Sequence, residues 1–416
     1  MIKFSICKLL IYLFIGMFSL PVAAQFQTDS FIEKLLKKHP ERFSEILRNP
    51  DKYKVQILYT RIDRNQKNEP NFKTYGYHVN QADYFYPAST VKLAAVVLAL
   101  EKLNKLGIDK NTTMLTGAVR PEQTSVSVDT SSENGLPSVA HYARKILIAS
   151  DNDAFNRLYE FLGQEEFNET LHKKGYVNTR ITHRLELPVG SENNRYTNPI
   201  KFEKDGKVIY EQPARYSEKI YFSPTPVLQG KGFIKDGQLV NEPFSFTEKN
   251  FFPLEEQHRL LKSIYFPEQV PEQQRFNLTR DDYTFLYRYM SQFPVETSFP
   301  ASYTDDYYDG YVKFLIFGAT KTRLPRHIRL FNKSGDAYGY VLDNAYVADF
   351  EKGIEFMLTA VIYANEDGIL NDNKYDYETV GLPFMANLGK TIFEYEVSRK
   401  HTARPDLERF EVEYDK

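Results

Sequence analysis

Phe85-Tyr86-Pro87-Ala88-Ser89-Thr90-Val91-Lys92 leads straight into the apolar run from Leu93 to Leu100. The run is long enough for a buried helix, and the segment before it places Ser89 at that helix's start. Residues three apart share a helix face, so the Ser89 hydroxyl and the Lys92 amine are expected to meet. A helix start also carries unpaired backbone N–H groups and the positive end of the helix dipole, which suits an oxyanion forming beside Ser89. The spacing alone has low specificity: Ser5-Ile6-Cys7-Lys8 shows it too, inside an N-terminal segment of different character.

That segment has Lys3 and Lys8, an apolar stretch from Leu9 to Ile15, and Val22-Ala23-Ala24, with small residues at the −3 and −1 positions of a cleavage site. The pattern predicts a secretory signal peptide over residues 1–24 and a mature chain starting at Gln25 in the periplasm or outside the cell. The single cysteine, Cys7, falls within the segment. The mature chain is therefore expected to hold its fold without disulfides. With 42% hydrophobic and 26% charged residues over 416 positions, the composition is that of a globular protein with a large core. A formal net charge of −2 gives no footprint for nucleic acid. Beyond the N-terminus no apolar run approaches the roughly 20 residues of a membrane span.

Outward from Ser89, Ser30-Phe31-Ile32-Glu33 reads as a capping box opening an amphipathic helix, which Pro40 interrupts. Val55 to Tyr59 and Phe72 to Tyr77 read as a hairpin with a polar turn from Asp63 to Asn71. Helices follow through Tyr142 and Ile146 to Ser150-Asp151-Asn152, and through Phe155 and Leu158 to a Gly163 stop. Residues from about 198 to 275 carry the turns Asp205-Gly206 and Asp236-Gly237 between short aromatic strands and read as an insertion. A helix capped by Thr279 comes next. Three strand-like runs, 327–332, 338–348 and 354–363, precede a closing helix from about Tyr377 to Val397. The predicted fold class is α+β, an α/β sandwich: an antiparallel sheet drawn from both chain ends and covered by the terminal helices, with a helical subdomain inserted between its second and third strands. The boundaries are 25–84 and 325–416 for the sheet part, and 85–324 for the helical part.

Ser89-x-x-Lys92, Ser150-Asp151-Asn152 and Lys333-Ser334-Gly335 occur in that order, with Arg184-Leu185-Glu186 downstream of the second. On these motifs the chain resembles the class A serine β-lactamases, and more broadly the penicillin-binding-protein-like serine hydrolases. The resemblance implies catalytic roles for Ser89, Lys92, Ser150 and Glu186. Ser89 would be the acylated nucleophile, Lys92 or Glu186 (through a water) its base, Ser150 the proton donor to the leaving nitrogen, and Glu186 the base of deacylation. Asn152, Lys333, Ser334, Gly335 and the backbone of Asp336 would bind substrate. Asn152 would also hold Lys92, Ser334 would meet a substrate carboxylate, and Gly335 would let substrate lie against the strand. Asp151 is expected to brace its turn from a buried position. No cofactor or metal is called for, and the expected partner is a small-molecule β-lactam or a cell-wall peptide, bound by a monomer.

Three departures bear on deacylation and binding. Gly190 stands where an asparagine usually follows the loop glutamate, Tyr196 where an aspartate usually pairs with the loop arginine, and no arginine occurs between Tyr338 and Ala348. Arg323, Arg326 and Arg329, just before Lys333, read mainly as a basic strand edge facing solvent. Three functions stay open at this point: a β-lactamase, a D-Ala-D-Ala peptidase or transpeptidase with slow deacylation, and a non-catalytic binding protein on the same scaffold.

Overall fold

The computed structural model describes residues 29–416 except 302, 304, 305 and 319. The expected signal peptide and the Gln25 start lie outside the described residues. The central sheet has five antiparallel strands: β1 (Gln56–Arg64), β2 (Pro70–Tyr77), β3 (Ile328–Ala337), β4 (Tyr340–Asp349) and β5 (Ile354–Tyr363), in the order β3-β4-β5-β1-β2. Strands from the two chain ends thus meet at the β5–β1 pairing, where Gln56 opposes Val361 and Arg61 opposes Phe356. Edge strand β3 faces the helical part.

Every residue of β4 is buried, and so is all of β5 except its last. A sheet covered on both faces no longer needs polar residues at alternate positions, which is why these strands read as near-continuous apolar runs. On one face Phe356, Leu358 and Ala360 pack under α1 (Ser30–Leu36), α2 (Pro40–Arg48) and the closing helix α9 (Leu382–Ser398). On the other face Phe331, Tyr346 and Met357 join the core of the helical part. That core is built on α3 (Val91–Leu106), buried without interruption from Val91 to Leu103, as a helix apolar on all sides must be. Around it stand α4 (Val139–Ala149), α5 (Asn152–Leu162), α6 (Gln164–Lys173), α7 (Leu254–Tyr265) and α8 (Arg280–Ser291). The fold is α+β, an antiparallel sheet with helices on both faces.

Local details depart from the sequence reading. The cap of α1 is Asp29, whose side chain accepts from the Phe31 N–H at 2.7 Å, and Ser30 is the first helical residue. The turn of the first hairpin is shorter than expected, with strand pairing continuing to Arg64 opposite Pro70. The aromatic segment 198–275 does contain the two expected hairpins, with positive φ at Asp205, Gly206, Asp236 and Gly237 as two-residue turns of this kind require. It also contains α7, which the sequence reading left unassigned. His258 of α7 sits between Thr60 (2.7 Å) and Thr359 (2.8 Å), fixing the helix on β1 and β5.

Candidate active site

The turn that presents Ser89 is a short 3-10 segment, Ala88–Thr90, running into α3. Lys92, one turn on, has no exposed surface. Its Nζ lies 2.8 Å from Ser89 Oγ, 2.5 Å from the Ser150 carbonyl oxygen and 3.2 Å from Ser150 Oγ. Ser150 reaches it because the chain breaks between α4 and α5: Ser150 adopts the left-handed conformation (φ 59°) as the C-cap of α4, and Asp151 caps α5 by accepting from the Ala154 N–H at 2.7 Å. Asp151 therefore braces the turn, though from a half-buried rather than a buried position.

Lys333 on β3 completes the cluster. Its Nζ donates to Ser150 Oγ at 2.9 Å and to the Ser334 carbonyl at 2.7 Å. Two lysines thus converge on one serine hydroxyl inside the protein. Burial, and then the charge of Lys333, hold Lys92 well below the ordinary lysine range, so an amine able to take a proton from Ser89 is favoured there. Burial likewise brings Lys333 to about 7. Asn152 lines the same cleft as Ser89, but the Lys92 nitrogen is held by the two serines and not by Asn152.

Glu186 opens onto this cleft from an exposed position with φ 52°. The loop that carries it is fixed from α5. Asn156 clamps Leu185 on both sides, Nδ2 donating to its carbonyl at 3.0 Å and Oδ1 accepting from its N–H at 2.8 Å. Arg184 Nε donates to Glu160 at 3.0 Å, and the other oxygen of Glu160 takes Arg157 at 2.9 Å. The acid that holds Arg184 thus comes from a helix, and Tyr196 offers only its backbone carbonyl, 2.9 Å from Arg184 Nη2. Gly190 is exposed, and nothing lies within 4 Å of where a side chain would start. Asn156→Ala would leave two buried backbone groups without partners. It should cost about 1–3 kcal/mol per group at most and shorten or misplace the reach of Glu186. A lower melting temperature together with slower release of a bound acyl group is the expected pair of readouts.

On the opposite wall, Gly335 has a role that the sequence reading gave to substrate. A Cβ there would lie 2.5 Å from the Ser89 backbone nitrogen and 3.1 Å from its Cα. Glycine lets strand β3 itself approach Ser89, which brings the Asp336 backbone to the cleft beside it. The Ser334 hydroxyl is buried and donates to the Val312 carbonyl at 2.8 Å. Val312 also accepts from Asn332 Nδ2 at 2.7 Å, and Asp343 accepts from Asn332 and from the Phe314 and Leu315 N–H groups. Lys313 threads behind the strand to the Met290 carbonyl (2.5 Å) and Asn332 Oδ1 (2.8 Å).

Burial brings Lys313 to about 7. A lysine depressed on folding gives the native state fewer protons than the unfolded chain, so its contribution to stability is greatest above the ordinary lysine range and is lost as pH falls to about 7. Lys313→Met should therefore flatten the rise in stability between pH 7 and 9, by up to about 1.4 kcal/mol per pH unit, in urea unfolding series.

Of the three arginines before Lys333, Arg323 and Arg326 do face solvent, and Arg329 does not. Arg329 is buried and forks onto Glu296 at 2.8 and 3.0 Å, Arg326 joins the same carboxylate at 3.0 Å, and Arg323 pairs with Asp309 at 3.2 Å. Buried partners of this kind are committed to the fold. The cleft has a volume of about 710 Å³, and its far wall is aromatic, with Tyr86, Tyr338, Tyr375 and Tyr377. Among the described residues, no three His, Cys, Asp or Glu side chains gather as a metal site.

A serine bonded directly to a buried lysine, which shares a second serine with another buried lysine at the seam of an antiparallel sheet and a helical part, defines a serine-hydrolase-like site. Residues 41–222 match the family model described as the beta-lactamase enzyme family, a span that holds Ser89, Lys92, Ser150, Asn152 and Glu186. The chain is thus similar to the serine β-lactamases, as its motifs read. Lys333 to Asp336 lie beyond the matched span and are brought in by the sheet. Solved structures with which it aligns include a beta lactamase from Xanthomonas campestris (13% identity, 87% of this chain and 98% of that one, TM-score 0.46). Others are a class A beta-lactamase from Clostridium kluyveri (16%, 86% and 98%, 0.45) and a beta-lactamase from Burkholderia phymatum (12%, 88% and 100%, 0.47). No curated protein sequence matches the chain.

Proposed function

We propose that the protein is a serine β-lactamase of the class A type, exported after cleavage behind Ala24 and acting as a monomer. The observation that carries this reading is Lys92 Nζ, 2.8 Å from Ser89 Oγ in surroundings that favour its neutral form. Ser89 Oγ attacks the lactam carbonyl as its proton passes to the Lys92 amine, and the backbone N–H groups of Ser89 and Asp336 receive the oxyanion. The C–N bond of the ring breaks, and Ser150 protonates the leaving nitrogen and recovers a proton from the lysines beside it. Glu186 then takes a proton from a water that attacks the ester, and that proton passes to the departing Ser89 oxygen, freeing Ser89 and restoring the carboxylate. On mixing with a penicillin, intact-mass spectrometry should show the protein gaining the mass of one intact penicillin. A chain that never gains mass under conditions where it is folded would contradict the proposal.

The open space at Gly190 favours a second reading. A water beside Glu186 has one partner fewer there, as suits a cell-wall D-Ala-D-Ala peptidase that is acylated by penicillin and releases it slowly. The Glu186 experiment below separates the two.

A further inference from the structure

Gly335 marks the point where β3 touches the nucleophile, and the cleft has two unlike ends on either side of it. Toward Lys333 it is closed by buried groups already bonded to one another. In the other direction the strand continues through Asp336 and Ala337 to Tyr338, about 10 Å for three extended residues. There it meets rings from the inserted segment: Tyr338 lies 5.6 Å from Phe244 and 5.3 Å from Phe246, ring centre to ring centre.

Lys249 lies in this end of the cleft. Its Nζ sits 5.7 Å from the Phe244 ring centre and 5.9 Å from that of Tyr338. Among the described residues no carboxylate is within ion-pairing distance of it, whereas Lys102 has Glu166 at 2.9 Å and Lys174 has Glu101 at 3.0 Å. Its backbone is anchored to the loop that carries Glu186. On one side the Glu248 carbonyl accepts from Thr182 Oγ1 at 2.8 Å; on the other Asn250 Oδ1 accepts from the Thr182 and His183 N–H groups at 2.7 and 3.1 Å. A cation held this way, half-buried against rings and with no ion pair among the described residues, is arranged to receive an anion from the cleft.

We propose that Lys249 is a specificity-determining residue, whose ammonium receives a carboxylate carried on the acyl side chain of the substrate. The assignment rests on the acylation of Ser89 proposed above. The substrate then spans the cleft, its reacting carbonyl between Ser89 and Asp336, with a planar, acidic side chain lying on Tyr338.

The test compares two penicillins differing only in this charge, one with a phenylacetyl side chain and one with an α-carboxyphenylacetyl side chain. The readout is the ratio of their second-order rates of Ser89 acylation. A hydrogen bond to a charged partner is worth enough that Lys249→Gln should lower the ratio, carboxylated over neutral, about tenfold, and Lys249→Arg should keep it. An unchanged ratio in Lys249→Gln overturns the assignment. Should that variant fail to fold, wild-type protein decides: raising salt from about 20 mM to about 500 mM should lower the same ratio by screening, and a flat ratio overturns the assignment. If neither penicillin acylates wild-type protein, the proposed function itself fails and this assignment with it. Acylation by both with no dependence on Lys249 or salt removes the assignment alone.

Discussion

Ser89→Ala is expected to carry no penicillin adduct at any time of mixing, while unfolding at the same temperature as wild type. The hydroxyl is half-buried, and its partner Lys92 keeps the Ser150 carbonyl and hydroxyl at 2.5 and 3.2 Å, so removing it strands no buried charge. What is lost is the cleft-lining oxygen that the buried Lys92 amine meets at 2.8 Å. Loss of a serine nucleophile typically costs on the order of 10⁶ in rate, so any residual signal should be indistinguishable from background. Continued labelling of Ser89→Ala would move the nucleophile elsewhere; Ser150 would then be the residue to replace.

Glu186→Gln is expected to leave the first half of the reaction in place and stall the second. The substitution keeps size and exposure and removes a base, and general-base assistance is worth about 10² to 10⁴ in rate. With no side chain at Gly190 to help hold the water, wild-type release starts slower, so a lengthening near the lower end of that range is expected. Time-resolved intact mass would show adduct accumulating in the variant and decaying in wild type. Equal lifetimes in the two proteins would assign the chain to the peptidase reading.

What could be read from the chain beforehand was whatever has a local signature. Ser89 and Lys92 are three apart on a helix, the Ser150 turn sits between two apolar-periodic helices, and the paired Asp-Gly turns close hairpins; each follows from residues adjacent in sequence. Contacts made across the fold left no such mark. Asn156 and Glu160 carry no local mark of function, yet they set the loop of Glu186 by bonds to Leu185 and Arg184, more than twenty residues away in each case. Nothing local in Lys333-Ser334-Gly335 tells that the Ser89 backbone lies against Gly335. For α7 a signal did exist: Leu254, Leu260, Leu261 and Ile264 fall on one helical face, a period masked by the aromatic strands around it. Nothing local distinguishes Lys249 from the other lysines of the chain. Its standing comes from two rings and a loop brought to it by separate parts of the chain.

The central claim is that Ser89 is acylated by a β-lactam and freed again by water at this site. Steady-state hydrolysis of a chromogenic cephalosporin by the purified wild-type chain tests it most directly. The account predicts many molecules of product per protein, at a constant rate proportional to protein concentration. Product that stops at one equivalent per protein, or never forms, would contradict it.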